Sequence, residues 1–270
     1  MRNTTSLDTI CGSLAYAIGI EPPKHAASPN KELVAYIDEK LKGRKADRIF
    51  MYNPDAIAEW IYEKYPNLLR EVTANTDIAI ALESVMPPVT PVCFATMYTG
   101  AQPSVHGIQK YEKPLVKIDT LFDAMIRAGK KCAIVAHVKC SMGMIFLEKA
   151  MDYYLYSTWE EVNAKGAELI LEDKYDLLIV YNGNYDARMH KFSPEGLETL
   201  CELRANSEVF AMFSELIKEH WTHHDTFVGF AMDHGCHHID DDLGSHGLDM
   251  DEDMNILHRY KIYPKKEKEN

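Results

Sequence analysis

None of the six cysteines, Cys11, Cys93, Cys132, Cys140, Cys201 and Cys236, forms a Cys-x-x-Cys pair, which excludes chemistry built on that spacing. Scattered thiols of this kind predict buried, reduced residues and a cytoplasmic protein. No stretch approaches the ~18 consecutive apolar residues of a membrane span, and the opening Met1–Ser6 leads into no apolar signal core. Basic residues are in deficit, 29 against 41 acidic ones, for a formal charge of −12. Binding to a nucleic-acid polymer or an acidic membrane needs clustered Lys and Arg, so neither partner is expected. Internal repeats, low-complexity tracts and linker-like Gly/Ser/Pro runs are also lacking. What is present, 270 residues of which 46% are apolar, is enough for one sizeable core.

Apolar runs that end in Asp or His alternate with helical patterns. Residues 1–45 read as a helical extension with segments at Leu7–Ile18 and Lys31–Leu41, the second stopped by Lys42-Gly43. Strand patterns follow at Arg48–Tyr52, Asp77–Glu83, Cys132–Ala136, Tyr153–Tyr156, Leu177–Tyr181 and Phe227–Met232. Between them, Thr120–Ala128 reads as an amphipathic helix, Thr158–Glu161 as a capping box, and Ser193-Pro194 as the cap and first residue of a long helix. This alternation predicts an α/β fold, a largely parallel sheet with helices on both faces. In such sheets the site lies beyond the carboxyl ends of the strands. The domain reads as residues 46–263, followed by a polar tail over 264–270.

Several candidate residues fall at those ends. Thr90 stands between Pro88 and Pro91 just before a small-residue run, a turn that presents a hydroxyl at the start of a helix. Asp55 follows the first strand, where helix capping is the favoured local reading and metal binding the other. Asp186 and His190 follow Leu177–Tyr181, Asp233 and His234 follow Phe227–Met232, and His246 comes last. Carboxylates and imidazoles are ligands for zinc, and manganese also accepts them. Arg188 is suited to a bidentate phosphate contact or to a surface ion pair, and Asn182 to orienting substrate or to an ordinary turn. His237 and His238 with Asp240, Asp241 and Asp242 read as a solvated acidic loop, with a third metal the lesser reading. His106 is expected to brace the Thr90 turn, and His258 to pack near the last strand.

Taken in order, Thr90 with Thr99-Gly100, Pro103 and His106-Gly107, then Asp186-x-x-x-His190, Asp233-His234-Gly235 and His246-Gly247, resemble the alkaline phosphatase superfamily. The likeness is to its type I phosphodiesterase and nucleotide pyrophosphatase branch and runs from about Arg48 to His258. It implies an alkaline-phosphatase-like core and two divalent metal ions, zinc first. One ion is held by Asp186, His190 and His246, the other by Asp233, His234, Thr90 and an early aspartate. The family has Asp-Gly after its first strand where this chain has Asn53-Pro54-Asp55-Ala56, so Asp55 is the expected ligand and Asn53 the alternative. Cys93 stands where the branch often has a phosphate-binding asparagine, and Val92 and later amides are candidates to replace that contact.

The resemblance implies a phosphate-ester hydrolase with a phosphothreonine intermediate, acting on a small diester or pyrophosphate such as a nucleotide. Phosphomonoesterase or phosphonate hydrolase activity is the nearest variant. The other class is a catalytically silent metal-binding member.

Overall fold

The computed structural model describes residues 1–240 and 242–266; Asp241 of the acidic run and residues 267–270 of the tail lie outside the described residues. The strands are β1 (Arg48–Pro54), β2 (Ile78–Glu83), β3 (Cys132–His137), β4 (Asp152–Tyr156), β5 (Leu177–Asn182), β6 (Thr226–Phe230), β7 (His237–Ile239), β8 (Leu243–Ser245) and β9 (Asn255–Tyr263). Seven form one sheet in the order β2-β9-β6-β1-β5-β3-β4, while β7 and β8 make a separate hairpin. From β6 to β4 every pairing is parallel, and β9 runs antiparallel to both β6 and β2.

Interior strands buried on both faces need uncharged, mainly apolar runs, as Leu177–Tyr181 of β5 and Phe227–Phe230 of β6 supply. Alternation along β1 assigns the two layers. Phe50 and Tyr52 pack on Phe213 and Phe210 of the helix Leu197–His220. Asn53 points the other way, to Met97 and Tyr98 of the helix Thr90–Thr99. Leu7 and, from the helices Thr9–Ile18 and Lys31–Leu41, Ile10, Leu14, Leu33 and Ile37 belong to the same apolar core. Among the described residues no helix is long and apolar enough to cross a membrane.

The capping box read at Thr158 is present, and the structure adds another at Thr120: the two threonines accept from the N–H groups of Glu161 and Asp123, whose carboxylates bond back. Ser193 does not cap the long helix. It sits at φ 63° in the preceding turn, and the helix starts after Gly196, where a Cβ would meet the Phe192 carbonyl oxygen at 1.8 Å. The thiols are all free, but Cys201 is exposed and Cys140 only partly buried, so full burial holds for the other four.

His258, on β9, is fully buried and neutral by its bonding: Nε2 donates to the Met232 carbonyl at 2.6 Å and Nδ1 accepts from the Tyr260 hydroxyl at 2.7 Å. Burial pushes its pKa from 6.5 down to about 4. The unfolded chain therefore binds a proton more readily between these values, and the stability is full above pH 6.5 and lost as pH falls. Between pH 7.5 and pH 5 this one residue is expected to cost about 2 kcal/mol. Denaturant unfolding of wild type and His258→Asn at both pH values checks it: the variant should lose less by about that amount, and an equal loss would contradict the assignment.

Candidate active site

Three carboxylates reach one end of the sheet because β1, β5 and β6 run parallel. Asp55 follows β1, Asp233 follows β6, and Asp186 lies on the helix Asn184–Phe192 just after β5. That helix puts Asp186 and His190 on one face, since residues four apart are neighbours. The β7–β8 hairpin leads into His246, whose Nδ1 meets the Pro88 carbonyl at 3.0 Å, two residues before Thr90.

Two groups of ligand-type atoms result, each within 4.8 Å: Asp186, His190 and His246, and Asp55, Asp233 and His234. In the first, Nε2 of His190 and of His246 lie 3.2 and 3.4 Å from Asp186 Oδ1. In the second, His234 Nε2 lies 3.5 Å from Asp55 Oδ1 and 3.3 Å from Asp233 Oδ2. Stacked rings of His234 and His246, 4.0 Å between centroids, join the two groups.

The bonding of these atoms fits metal ions. Each imidazole spends Nδ1 on a backbone carbonyl, His190 on Gly244, His234 on Gly235 and His246 on Pro88, which leaves Nε2 as a lone-pair donor. Asp55 Oδ1, Asp186 Oδ1 and Asp233 Oδ2 are buried without a hydrogen bond. Buried polar atoms are rarely left so, and a cation facing both the orphaned oxygens and the Nε2 lone pairs accounts for all of them at once.

The charge balance without a cation points the same way. Burial, then the nearby Asp233 and Asp186, raises Asp55 well above the usual carboxylate range. Burial, offset in part by the Ala56 amide, lifts Asp233 to about 7. Burial also opposes ionisation of Asp186, but the imidazoles of His190 and His246 outweigh it and hold that carboxyl low. His234 is pushed well down by burial and by His246, whereas the nearby Asp186 carboxylate raises His190 and, against the effect of burial, His246.

Thr90 is the first residue of its helix and 4% exposed. The N-cap is Val89, and no side chain caps the helix. The Thr90 hydroxyl instead lies 3.4 Å from Asp55 Oδ2 and 3.5 Å from His234 Nε2. His106 bonds to Thr96 Oγ1 at 3.0 Å, one helical turn and a half along from Thr90, so it braces the helix interior.

Several expectations need correction. Asp55 caps no helix: the next one begins at Glu59 after Ala58, too far for its carboxylate. Asn53 is not the early ligand, because its amide donates to the Ala231 carbonyl and accepts from Tyr98, both at 2.6 Å. Ala56 adopts φ 62°, a conformation that favours glycine, and this turns its N–H toward Asp233 Oδ1 at 3.3 Å. Cys93 is fully buried with its thiol against Ser84 Oγ at 3.2 Å, so it offers substrate no surface. The Val92 and Cys93 amides already bond to the Val89 carbonyl and are not spare oxyanion donors.

Arg188, two residues from Asp186, points off the ligand face toward Glu202, 3.6 Å away. Asn182 is buried and accepts from the Asn184 N–H, a turn role. His237 and His238 pair with Asp253 and Glu195, and among the described residues neither belongs to a ligand group. Sequence reading missed Tyr181, whose hydroxyl donates to Asp55 Oδ2. Its place at the end of an interior strand was the available signal.

A mostly parallel α/β sheet carrying two Asp/His groups beside a threonine at a helix start is the arrangement that the sequence resemblance implied. The chain belongs to the type I phosphodiesterase / nucleotide pyrophosphatase family, whose profile matches residues 52–265. No curated protein matches the sequence significantly. Among solved structures it is similar to human ectonucleotide pyrophosphatase / phosphodiesterase 5, with TM-score 0.58 and 14% identity over 72% of this chain and 58% of that one. The inactive threonine-to-alanine variant of the murine protein, in complex with AMP, gives TM-score 0.58 and 14% identity over 72% and 59%. Phosphonoacetate hydrolase from Sinorhizobium meliloti 1021, in complex with phosphonoacetate, gives TM-score 0.55 and 18% identity over 74% and 60%. At such identities the likeness shows the fold alone, and the chain spans less than two thirds of these relatives.

Proposed function

We propose that the chain is a hydrolase of small phosphate esters, with diesters or pyrophosphates favoured, working with two divalent metal ions and Thr90 as nucleophile. The observation that carries this reading is the Thr90 hydroxyl, free of capping duty and set beside Asp55 Oδ2 and His234 Nε2, two residues of a group whose Asp55 Oδ1 and Asp233 Oδ2 lack hydrogen-bond partners. Asp186, His190 and His246 would hold one ion, and Asp55, Asp233, His234 and Thr90 the other. Zinc is the proposed metal, since an Asp/His set with Nε2 donors suits it. Bound there, the ions would supply Lewis acidity, lowering the pKa of the hydroxyl and neutralising phosphoryl charge.

Thr90 Oγ gives up its proton to solvent and attacks phosphorus in line with the leaving oxygen, forming the P–Oγ bond as the P–O bond to the leaving group breaks and the departing oxygen takes a proton from water. Asp55 Oδ2 lies 3.4 Å from Thr90 Oγ, a long contact that leaves the hydroxyl free to turn toward phosphorus. Water then attacks the phosphothreonine and releases Thr90 together with phosphate or a phosphomonoester. The nucleotide complex of the murine relative and the threonine replaced there agree with this assignment. We take residues 46–263 as the catalytic unit with 1–45 packed on it, and the free thiols fit a cytoplasmic setting.

The test compares an aryl phosphodiester, an aryl phosphomonoester and phosphonoacetate with zinc-loaded protein. The diester is expected to turn over fastest. Preference for phosphonoacetate would move the reading to the phosphonate branch, and no turnover despite bound zinc would leave a silent metal-binding protein.

A further inference from the structure

We infer that Tyr181 is a positioning residue that fixes which oxygen of Asp55 faces the metal and spares the Thr90 hydroxyl from that task. The inference rests on the two-metal reading above. Asp55 has one oxygen without a partner, Oδ1, and one that is held, Oδ2. Two hydroxyls reach Oδ2. Tyr181 makes the close contact, while Thr90 is a long bond at 3.4 Å. With the phenol on Oδ2 the carboxylate cannot rotate freely, so Oδ1 stays turned toward His234 Nε2, 3.5 Å away.

Three features place the phenol for this purpose. Its ring is buried, edge-on to Phe94 at 5.6 Å and to Trp159 at 6.0 Å. Strand register also sets it: β5 runs parallel to β1 with Tyr181 paired to Asn53, two residues before Asp55. Gly183 leaves room for the hydroxyl: a Cβ there would stand 2.7 Å from Tyr181 Oη and 3.2 Å from Trp159. Tyr181 and Gly183 therefore form one device at the end of β5. Without the phenol, Thr90 would be the remaining protein donor to Asp55 Oδ2, and the nucleophile's proton would serve to hold a ligand.

Zinc titration against a chromophoric chelator tests this in wild type, Tyr181→Phe, Gly183→Ala and a control, Tyr185→Phe. Tyr185 is another buried phenol, but its hydroxyl bonds to the Pro194 carbonyl and Cys236 Sγ rather than to a ligand carboxylate. Tyr181→Phe is expected to weaken one of two zinc sites by about 10–100-fold, the usual effect of losing an outer hydrogen bond to a ligand. Gly183→Ala should weaken the same site by displacing the hydroxyl, and Tyr185→Phe should leave both sites alone. In hydrolysis by the zinc-saturated protein, kcat should fall for Tyr181→Phe with KM little changed. Unchanged zinc affinity in Tyr181→Phe, or an equal loss in Tyr185→Phe, would overturn the inference while leaving the two-metal reading intact. A wild-type protein that binds no zinc would overturn both.

Discussion

Thr90→Ala is expected to lower hydrolysis of an aryl phosphodiester by at least about 1,000-fold, the scale on which enzymes lose rate when a nucleophile is removed. The fold should survive. Thr90 does not cap its helix, so alanine leaves the helix start as it was, and the lost methyl and hydroxyl leave a small space worth about 1 kcal/mol. Zinc should still bind, because Asp55, Asp233 and His234 retain their places. Thr90→Ser keeps an oxygen at the same position and should keep measurable turnover. The decisive comparison is kcat/KM with zinc affinity and melting temperature on the same samples. A Thr90→Ala protein that binds zinc normally and keeps a tenth of the activity would remove Thr90 from the nucleophile role.

How far the sequence shows this site depends on what each signal depends on. Strand ends were legible because an interior strand needs an unbroken apolar run, and a charged residue next to it marks the sheet edge, as at Asp233 after β6. A cap was legible at Thr158, where an acid follows three residues on; Thr120 with Asp123 carries the same signal, which went unread. Asp186-x-x-x-His190 carried an unread signal, since a spacing of four is itself helical and the segment is the helix Asn184–Phe192. The same helix turns Arg188 away, which a list of residues cannot show. Asp55 against Asn53 could not be decided locally; the outcome depends on Tyr98 and the Ala231 carbonyl, both remote in sequence, satisfying Asn53. The antiparallel β9 between β2 and β6, and the Tyr181 bond to Asp55, likewise arise from long-range pairing.

Asp233→Asn is expected to change the sign of its effect on stability according to whether metal is present. In chelator at pH 7.5, Asp233 is a buried carboxyl whose pKa, about 7, lies far above the ordinary 3.8. A carboxyl with a raised pKa contributes stability at low pH that is lost as pH rises above its unfolded value, so at pH 7.5 its ionisation costs on the order of a few kcal/mol. Asparagine removes that cost and satisfies both positions: its oxygen can accept from the Ala56 N–H, and its amide can donate to His234 Nε2, the atom 3.3 Å from the orphaned Oδ2. The metal-free variant should therefore melt roughly 5–10 °C above metal-free wild type. With zinc in large excess over its dissociation constant, wild type gains about 4 kcal/mol through mass action. The variant, lacking an anionic ligand, gains much less and becomes the less stable protein. Thermal unfolding of both proteins in chelator and in zinc gives the four values needed. Lower stability of the variant in chelator, with equal stabilisation by zinc, would mean that Asp233 is an ordinary buried polar residue and that its unpartnered oxygen faces no metal.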